Sequence, residues 1–279
     1  LITPFKDGRV DDAALEGLLR FQLENGVDAI VACGTTGEPS TMTDAEWEHT
    51  LGFIVRYVHG RVPVIAGTGG NNTAGVIEKA RAARALGADA QLCVTPYYNK
   101  TTQAGLIAHY RAIAQDGALP VIIYNVPSRT GLNMLPETLA ALAPEENVIG
   151  MKEASGNMAQ IMDMMRLCGC DIAFYSGSDE LTAPLRAVGG LGAVSVLSNI
   201  APAAMRDITH LPIEEAAKLN LKYLPLINAL FLEVNPIPVK AAAAMMGLCE
   251  NEVRLPLVPL SPKNEQKLKE EMRKAGLIC

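Results

Sequence analysis

The sequence predicts an α/β fold: a (β/α)₈ TIM barrel followed by a C-terminal helical appendage. Strand-like apolar runs alternate with segments of helical periodicity up to about residue 200, and eight such strands can be counted. The runs are continuously apolar, as is typical of parallel strands covered on both faces. The chain has 279 residues, and a barrel of this kind commonly needs about 250. An open dinucleotide-binding sheet would place GxGxxG after its first strand, and the motif is absent there.

The elements follow one another at regular intervals. Residues 11–24 carry apolar side chains at helical spacing, with Asp11 or Asp12 available as an N-cap and Gly26 ending the segment; the apolar positions are Leu15, Leu18, Leu19 and Leu23. The same pattern predicts helices at 44–58, 73–86, 103–116, 136–143, 157–168 and 179–188. Strands are predicted at 1–3, 27–33, 62–66, 90–95, 120–124, 147–152, 172–176 and 193–197.

The alternation ends after about residue 200. Helices are then predicted at 202–209, 214–232, 238–247 and 263–275, separated by proline-rich segments. This part is too apolar to stand alone, so we expect it to pack on the barrel. We therefore divide the chain into a catalytic barrel, residues 1–200, and a C-terminal helical region, residues 201–279.

Composition excludes several classes of function. The net charge of −6 and the pI near 5.3 argue against nucleic acid or an anionic membrane as the main partner. The four histidines form no ligand pair, and Cys168 and Cys170 lack both zinc and redox spacing, so neither a metal nor a cofactor is predicted. We expect reduced thiols in a cytoplasm. Because the first residue is leucine, we also expect the natural start to lie upstream.

Lys152 ends the sixth predicted strand and is the most informative residue. Burying a lysine is unfavourable unless its amine is neutral or paired, and a neutral amine can attack a carbonyl to form a Schiff base. The alternative is that Lys152 merely caps the strand and reaches solvent.

Other polar residues follow the ends of neighbouring predicted strands, where barrels assemble their active sites. They are Thr35, Thr36, Tyr97, Tyr98, Tyr124 and Arg129, and the segment 176–179 lies at the end of the seventh predicted strand. An amine, several hydroxyls and an arginine suit carbonyl chemistry through an imine, with Arg129 as a fork for a carboxylate. Each has a structural alternative: a helix cap for the threonines, an interface or strand position for the tyrosines, a solvated charge for Arg129.

At these positions the sequence resembles the dihydrodipicolinate synthases of the pyruvate-dependent class I aldolase superfamily. The resemblance covers essentially the whole chain. Its most specific parts are residues 34–38, 67–69, 97–99, 124–131, 152–157 and 235–240. The Ser-Arg-Thr-Gly stretch at 128–131 favours the synthases over N-acetylneuraminate lyase and the sugar-acid aldolases.

The resemblance implies a role for each matching residue. Lys152 would form the Schiff base with pyruvate, and Tyr124 would move protons, aided by Thr35 and by Tyr98 of a neighbouring subunit. Thr36 would hold the pyruvate carboxylate and Arg129 the carboxylate of aspartate-4-semialdehyde, and the remaining pocket residues would be Gly177 and Val194.

The implied activity is a cytoplasmic lyase of lysine and diaminopimelate biosynthesis, a homotetramer built as a dimer of dimers. The alternatives are another pyruvate-dependent aldolase, acting on N-acetylneuraminate or a sugar acid, and a non-catalytic keto-acid sensor. One departure concerns regulation. Gly75 stands where lysine-inhibited members have a glutamate, while Asn71 and Tyr97 remain, so we expect weak or absent inhibition by lysine.

Overall fold

The computed structural model describes residues 1–279, which form nine strands and twelve α-helices. The strands are β1 Phe5–Lys6, β2 Arg9–Val10, β3 Ile30–Ala32, β4 Val64–Gly67, β5 Ala90–Val94, β6 Val121–Asn125, β7 Val148–Glu153, β8 Ala173–Ser176 and β9 Gly192–Ala193. The helices are α1 Asp12–Glu24, α2 Asp44–Val58, α3 Thr73–Ala85, α4 Gln103–Asp116, α5 Pro127–Thr130, α6 Pro136–Ala140, α7 Met158–Cys168, α8 Thr182–Ala187, α9 Pro202–His210, α10 Ile213–Ala229, α11 Ile237–Met245 and α12 Pro262–Lys274. Short 3-10 turns occur at Thr35–Gly37, Pro39–Thr41, Asp179–Leu181 and Leu197–Asn199.

The chain forms two compact units. The middle unit is Pro63–Val194, and the terminal unit combines Leu1–Val62 with Ser195–Cys279. None of the twelve helices has the combined length and apolar composition that crossing a bilayer would require.

The middle unit is built on six parallel strands, β4 to β9, which pair in the order of the sequence. Parallel neighbours need a crossover, and α3, α4, α6, α7 and α8 provide these. Their apolar faces pack in a core that includes Tyr110, Ile113 and Phe174. The Tyr110 hydroxyl donates to the Cys93 carbonyl at 3.1 Å, which satisfies its polar atom inside that core. All six strands therefore end at one edge of the sheet.

The terminal unit joins both ends of the chain. Its first part holds the β1–β2 hairpin, β3, α1 and α2, and α2 begins with a capping box in which Thr43 and Glu46 satisfy each other's backbone N–H groups. Its second part holds α9 to α12, and α10 packs against both α9 and α12. Arg254 ties the two parts together through Glu46, with N–O distances of 2.6 and 2.8 Å.

The predicted helices at 44–58 and 103–116 are confirmed to the residue by α2 and α4. The predicted strand at 1–3 is wrong. The Leu1 ammonium donates to the Val31 carbonyl at 2.9 Å, but the Ile2 N–H donates to the Asn199 side chain at 2.8 Å and so cannot extend a ladder. The predicted strand at 193–197 is confirmed only at its start, because the chain turns into a 3-10 helix at Leu197–Asn199. Helix α5 was not predicted, because four residues are too few for periodicity.

Candidate active site

Lys152 and Tyr124 lie side by side on neighbouring strands. Tyr124 of β6 pairs in register with Lys152 of β7, near the carboxyl ends of both strands. The Lys152 Nζ lies 4.1 Å from the centroid of the Tyr124 ring. Tyr124 is buried, with 6% of its surface exposed, whereas Lys152 is half-buried. The structure therefore brings the predicted amine and the predicted proton-transfer hydroxyl onto one face of the sheet.

Gly177 leaves room for the Lys152 side chain. A Cβ at this position would lie 2.9 Å from Lys152 Cε and 2.8 Å from Ala154 Cβ, both closer than real Cβ contacts allow. The glycine follows β8 directly, and its N–H donates to the Glu153 carbonyl at 2.7 Å. The predicted role of Gly177 as a pocket residue thus has a steric basis, since any side chain here would displace the lysine.

The opposite face of the same two strand ends carries a buried hydrogen-bond network. Asn125 pairs with Glu153 across the β6–β7 ladder, and its Nδ2 donates to Glu153 Oε2 at 3.0 Å and to Asn133 Oδ1 at 2.9 Å. Glu153 also accepts from the Ser155 N–H at 2.6 Å. Burial raises the pKa of the Glu153 carboxyl, while these hydrogen bonds work to lower it. Because adjacent strand residues point to opposite faces, this network fixes the strands behind Tyr124 and Lys152.

Arg129 lies on the four-residue helix α5, immediately after β6, and its side chain is exposed. The helix is anchored by Thr130, whose hydroxyl donates to the Leu132 carbonyl at 2.9 Å and lies 3.3 Å from the Thr95 hydroxyl. The Met134 N–H donates to Asn125 Oδ1 at 3.0 Å, which ties the segment after α5 to the network behind the lysine. The arginine thus sits on an anchored turn at the sheet edge where β6 ends.

Val194 follows the short strand β9 and is half-buried. Its N–H donates to the Ser176 carbonyl at 2.8 Å, so it continues the ladder next to β8 beyond the end of β9. Val194 and Gly177 therefore both lie at the same sheet edge as Lys152.

Thr35 and Thr36 lie in the terminal unit, on the 3-10 turn Thr35–Gly37 that follows β3. The Gly37 N–H donates to the Gly34 carbonyl at 2.8 Å and so closes the turn. Gly37 packs closely, because a Cβ there would lie 3.1 Å from Thr3 Oγ1. The turn ends at Glu38, which adopts a left-handed conformation with φ of 55°. Such a conformation is unusual for a non-glycine residue and requires support from surrounding contacts.

That support comes from residues for which the sequence predicts no role. Lys240 of α11, with no exposed surface, forms an ion pair with the buried Glu38 carboxylate. Burial lowers the pKa of Lys240, and the charge of Glu38 opposes this. The Asn235 Nδ2 donates to Thr36 Oγ1 at 3.0 Å. Residues 34–38 and 235–240 both belong to motifs of the sequence, but nothing in their spacing predicts that they touch.

Tyr98 is the most exposed large apolar residue of the chain, with 91% of its surface accessible. It lies in the loop after β5 and has a φ of 66°. The neighbouring loop is held by Asn71, whose Nδ2 donates to the Tyr97 carbonyl at 3.1 Å, and by Asn99, whose Nδ2 donates to the Asn71 carbonyl at 2.9 Å. Within its own chain, the Tyr98 side chain has little to contact.

Comparisons with known proteins show the family to which the chain belongs. The profile of the dihydrodipicolinate synthetase family matches residues 1–275. The chain belongs to this family. It is 50% identical to the 4-hydroxy-tetrahydrodipicolinate synthase of Geobacter sulfurreducens, over 100% of this chain and 97% of that protein. The resemblance noted in the sequence is thereby confirmed.

Solved structures of the family share the fold. The dihydrodipicolinate synthase of Thermotoga maritima superposes with a TM-score of 0.98 at 43% identity, covering 100% of this chain and 97% of its own. The chloride-inhibited dihydrodipicolinate synthase of Acinetobacter baumannii, complexed with pyruvate, gives a TM-score of 0.98 at 44% identity and the same coverage. The predicted fold class, a (β/α)₈ barrel with C-terminal helices, is confirmed by these similarities.

Proposed function

We propose that this protein condenses pyruvate with aspartate-4-semialdehyde to give 4-hydroxy-tetrahydrodipicolinate, a step of lysine and diaminopimelate biosynthesis. The observation that carries the proposal is the pairing of Lys152 with Tyr124 at the ends of adjacent strands, 4.1 Å from amine to ring centroid. Family membership supplies the reaction, since relatives about 50% identical over the full chain are 4-hydroxy-tetrahydrodipicolinate synthases.

In the proposed reaction, the Lys152 amine attacks the keto carbon of pyruvate, and water leaves as the imine forms. Loss of a methyl proton gives the enamine, whose carbon attacks the aldehyde. The amino group of the second substrate then adds to the imine carbon, which closes the ring and releases Lys152. The imine itself accepts the electron pair released by deprotonation, so the reaction balances without an oxidant or reductant.

The proton transfers are assigned to Tyr124, with Thr35 and a Tyr98 from a neighbouring subunit as relay partners. A phenol beside the amine can protonate the departing hydroxyl and later accept a proton, which is general acid–base catalysis. Tyr124 is well suited to this because it is buried and in register with the lysine.

Two carboxylates must be held during the reaction. We assign that of pyruvate to Thr36 and the turn around it, and that of aspartate-4-semialdehyde to Arg129, whose planar fork can bind a carboxylate through two hydrogen bonds. Gly177 and Val194 complete the pocket beside the imine. The barrel, residues 1–200, carries these residues in this proposal, and residues 201–279 support it.

The decisive experiment is borohydride reduction in the presence of pyruvate, followed by peptide mapping. We expect a covalent adduct on Lys152 and none in the Lys152→Arg variant, which keeps the positive charge but loses the nucleophilic amine. An adduct on another lysine, or none in the native protein, contradicts the mechanism. Turnover of N-acetylneuraminate, instead of product that a dihydrodipicolinate reductase consumes, contradicts the choice of substrate.

We propose a cytoplasmic location and a homotetramer for this enzyme. The location is supported by six cysteines that are all free, two of them exposed. The assembly is supported by Tyr98, because a tyrosine with 91% exposure and a strained backbone is well suited to be covered by another subunit.

We also propose that lysine inhibits this enzyme weakly or not at all. Gly75 has no side chain to offer a lysine ammonium, although Asn71 and Tyr97 remain near each other in the loop. An assay of the condensation with increasing lysine should show little loss of rate. Strong inhibition at low millimolar lysine or below would refute this proposal, and a Gly75→Glu variant tests whether a carboxylate restores sensitivity.

A further inference from the structure

Asn235 makes a hydrogen bond that restricts what the Thr36 hydroxyl can do. Its Nδ2 donates to Thr36 Oγ1 at 3.0 Å, between two residues 199 positions apart in the chain. A threonine hydroxyl has a single hydrogen to donate and can accept two hydrogen bonds. Because the carboxamide N–H groups occupy an acceptor position, the Thr36 hydrogen cannot point back at them and must be donated elsewhere.

The same short segment holds the turn at a second point. Asn235 precedes α11, and Lys240 lies one helical turn further along, with its backbone N–H bonded to the Pro236 carbonyl at 2.9 Å. Lys240 pairs with Glu38, which ends the Thr35–Gly37 turn. Both residues are buried, with 6% exposure for Asn235 and none for Lys240. The segment Asn235–Lys240 therefore fixes both the backbone of the turn and the direction of one hydroxyl on it.

We infer that Asn235 is a positioning residue for pyruvate, which acts by turning the Thr36 hydroxyl into a fixed donor toward the pyruvate carboxylate. This inference rests on the proposed function, in which Thr36 holds that carboxylate. A donor whose direction is set before the substrate arrives needs no reorganisation on binding. The substrate class selected is a small 2-keto acid whose carboxylate accepts this hydrogen bond.

The test compares variants by the pyruvate concentration that gives half-maximal borohydride trapping on Lys152. Because a hydrogen bond to a charged group contributes more than a neutral one, Asn235→Ala should raise this concentration about tenfold. The KM for aspartate-4-semialdehyde should change by less than about threefold, since Arg129 holds that substrate. Asn264→Ala is a matched control, because it removes a carboxamide of the terminal unit that binds Glu233 at 2.8 Å instead of the turn.

A double variant separates positioning from packing. If Asn235 acts through Thr36, then adding Asn235→Ala to Thr36→Val should weaken pyruvate trapping by no more than about twofold beyond Thr36→Val alone. A further tenfold loss in the double variant, or an unchanged half-saturation in Asn235→Ala, overturns the inference.

Asn235→Asp is nearly identical in size, so it tests the inference even if the alanine variant does not fold. An aspartate only accepts hydrogen bonds, so it would draw the Thr36 hydrogen toward itself and repel the carboxylate. We expect it to bind pyruvate more weakly than Asn235→Ala does, and native-like binding by Asn235→Asp overturns the inference.

The native protein distinguishes this inference from the proposed function. If native protein gives no pyruvate adduct on Lys152, the proposed function fails. If native protein and Asn235→Ala are trapped at the same pyruvate concentration, only the role of Asn235 fails.

Discussion

At the scale of single residues, Gly177 shows that an absent side chain can determine the position of another one, here the proposed nucleophile Lys152. The space that a Cβ would fill is occupied by the aliphatic part of Lys152. The backbone at Gly177 has no positive φ, so its role depends on space and not on conformational freedom.

A Gly177→Ala variant should fold but lose activity. The new methyl group must push the flexible end of Lys152 aside, and a misplacement near 1 Å can reduce a rate by about 10²-fold. We expect borohydride trapping of pyruvate to slow by about 10- to 100-fold. Gly75→Ala is the control, since it lies in α3 and its nearest heavy atom would be 3.7 Å away. Equal trapping rates in the two variants would show that Gly177 does not protect the lysine.

His109 predicts how stability depends on pH. It is 7% exposed, its Nδ1 lies 2.9 Å from the Thr73 hydroxyl, and its Nε2 has no partner, so burial lowers its pKa to about 4 from the model-compound value of 6.5. The unfolded chain therefore binds the proton more readily between these two values, and stability falls as the pH falls through that range. Above pH 6.5 the histidine is mostly neutral in both the folded and the unfolded chain, so it adds little to the pH dependence of stability.

The loss between pH 6.5 and pH 4 should be on the order of 2 kcal/mol for this residue. Urea unfolding at both pH values measures it. His109→Gln keeps a polar partner for Thr73 but does not titrate, so the difference between the two pH values should shrink by that amount. An unchanged difference would mean that other groups dominate the acid sensitivity.

At the scale of elements, the buried pair of Glu38 and Lys240 joins α11 to the turn after β3. Lys240 also lies 4.0 Å from the centroid of the Phe5 ring, and the Arg254 guanidinium lies 4.1 Å from the same centroid. The β1–β2 hairpin, the turn after β3 and helix α11 are thus held together by Lys240 and Arg254, which both lie against the Phe5 ring.

Removing a single partner of this pair should greatly lower the stability of the protein. Lys240→Met leaves Glu38 charged and buried, and we expect a loss of about 3–5 kcal/mol in the free energy of unfolding. The double variant Glu38→Gln with Lys240→Met leaves no buried charge and should recover much of that loss. Chemical denaturation of the three proteins measures this, and a double variant as unstable as the single one would contradict it.

Secondary structure could be predicted because it depends on local patterns. The boundaries of α2 and α4 follow from their periodicity and from Thr43 and Thr102, whose hydroxyls accept N–H groups of the first turn. Strand ends were less predictable. The backbone at Ile2 is satisfied by the Asn199 side chain, 197 residues away, and no local pattern could reveal that partner.

The site residues could be predicted only in part, for the same reason. Lys152, Tyr124, Arg129 and Gly177 could be found because each lies at or just after the end of a predicted strand, and parallel strands end at one edge. The contacts of Asn235 with Thr36 and of Lys240 with Glu38 could not, because they join residues 199 and 202 positions apart. Long-range pairs depend on how elements pack, which hydrophobic periodicity does not encode.

At the scale of the whole molecule, Tyr98 predicts a site shared between subunits. If it acts in a neighbouring subunit, then a hybrid of Lys152→Ala and Tyr98→Phe chains contains one site with both native residues. Mixing the two variants under conditions that exchange subunits should restore activity to roughly a quarter of the native level, as statistical pairing of dimers requires. Activity no higher than the mean of the separate variants would place Tyr98 in its own subunit's site.

The pairing of Lys240 with Glu38 also bears on how the protein is made. The two residues are 202 positions apart, and translation adds roughly 5–20 residues per second, so Glu38 is added to the chain about 10–40 s before its partner. Until then its carboxylate must remain hydrated, and the turn that carries Thr35 and Thr36 lacks the ion pair that holds its end. The turn that carries these two proposed site residues is therefore completed only when translation is nearly over, so chains truncated before Lys240 lack the finished turn.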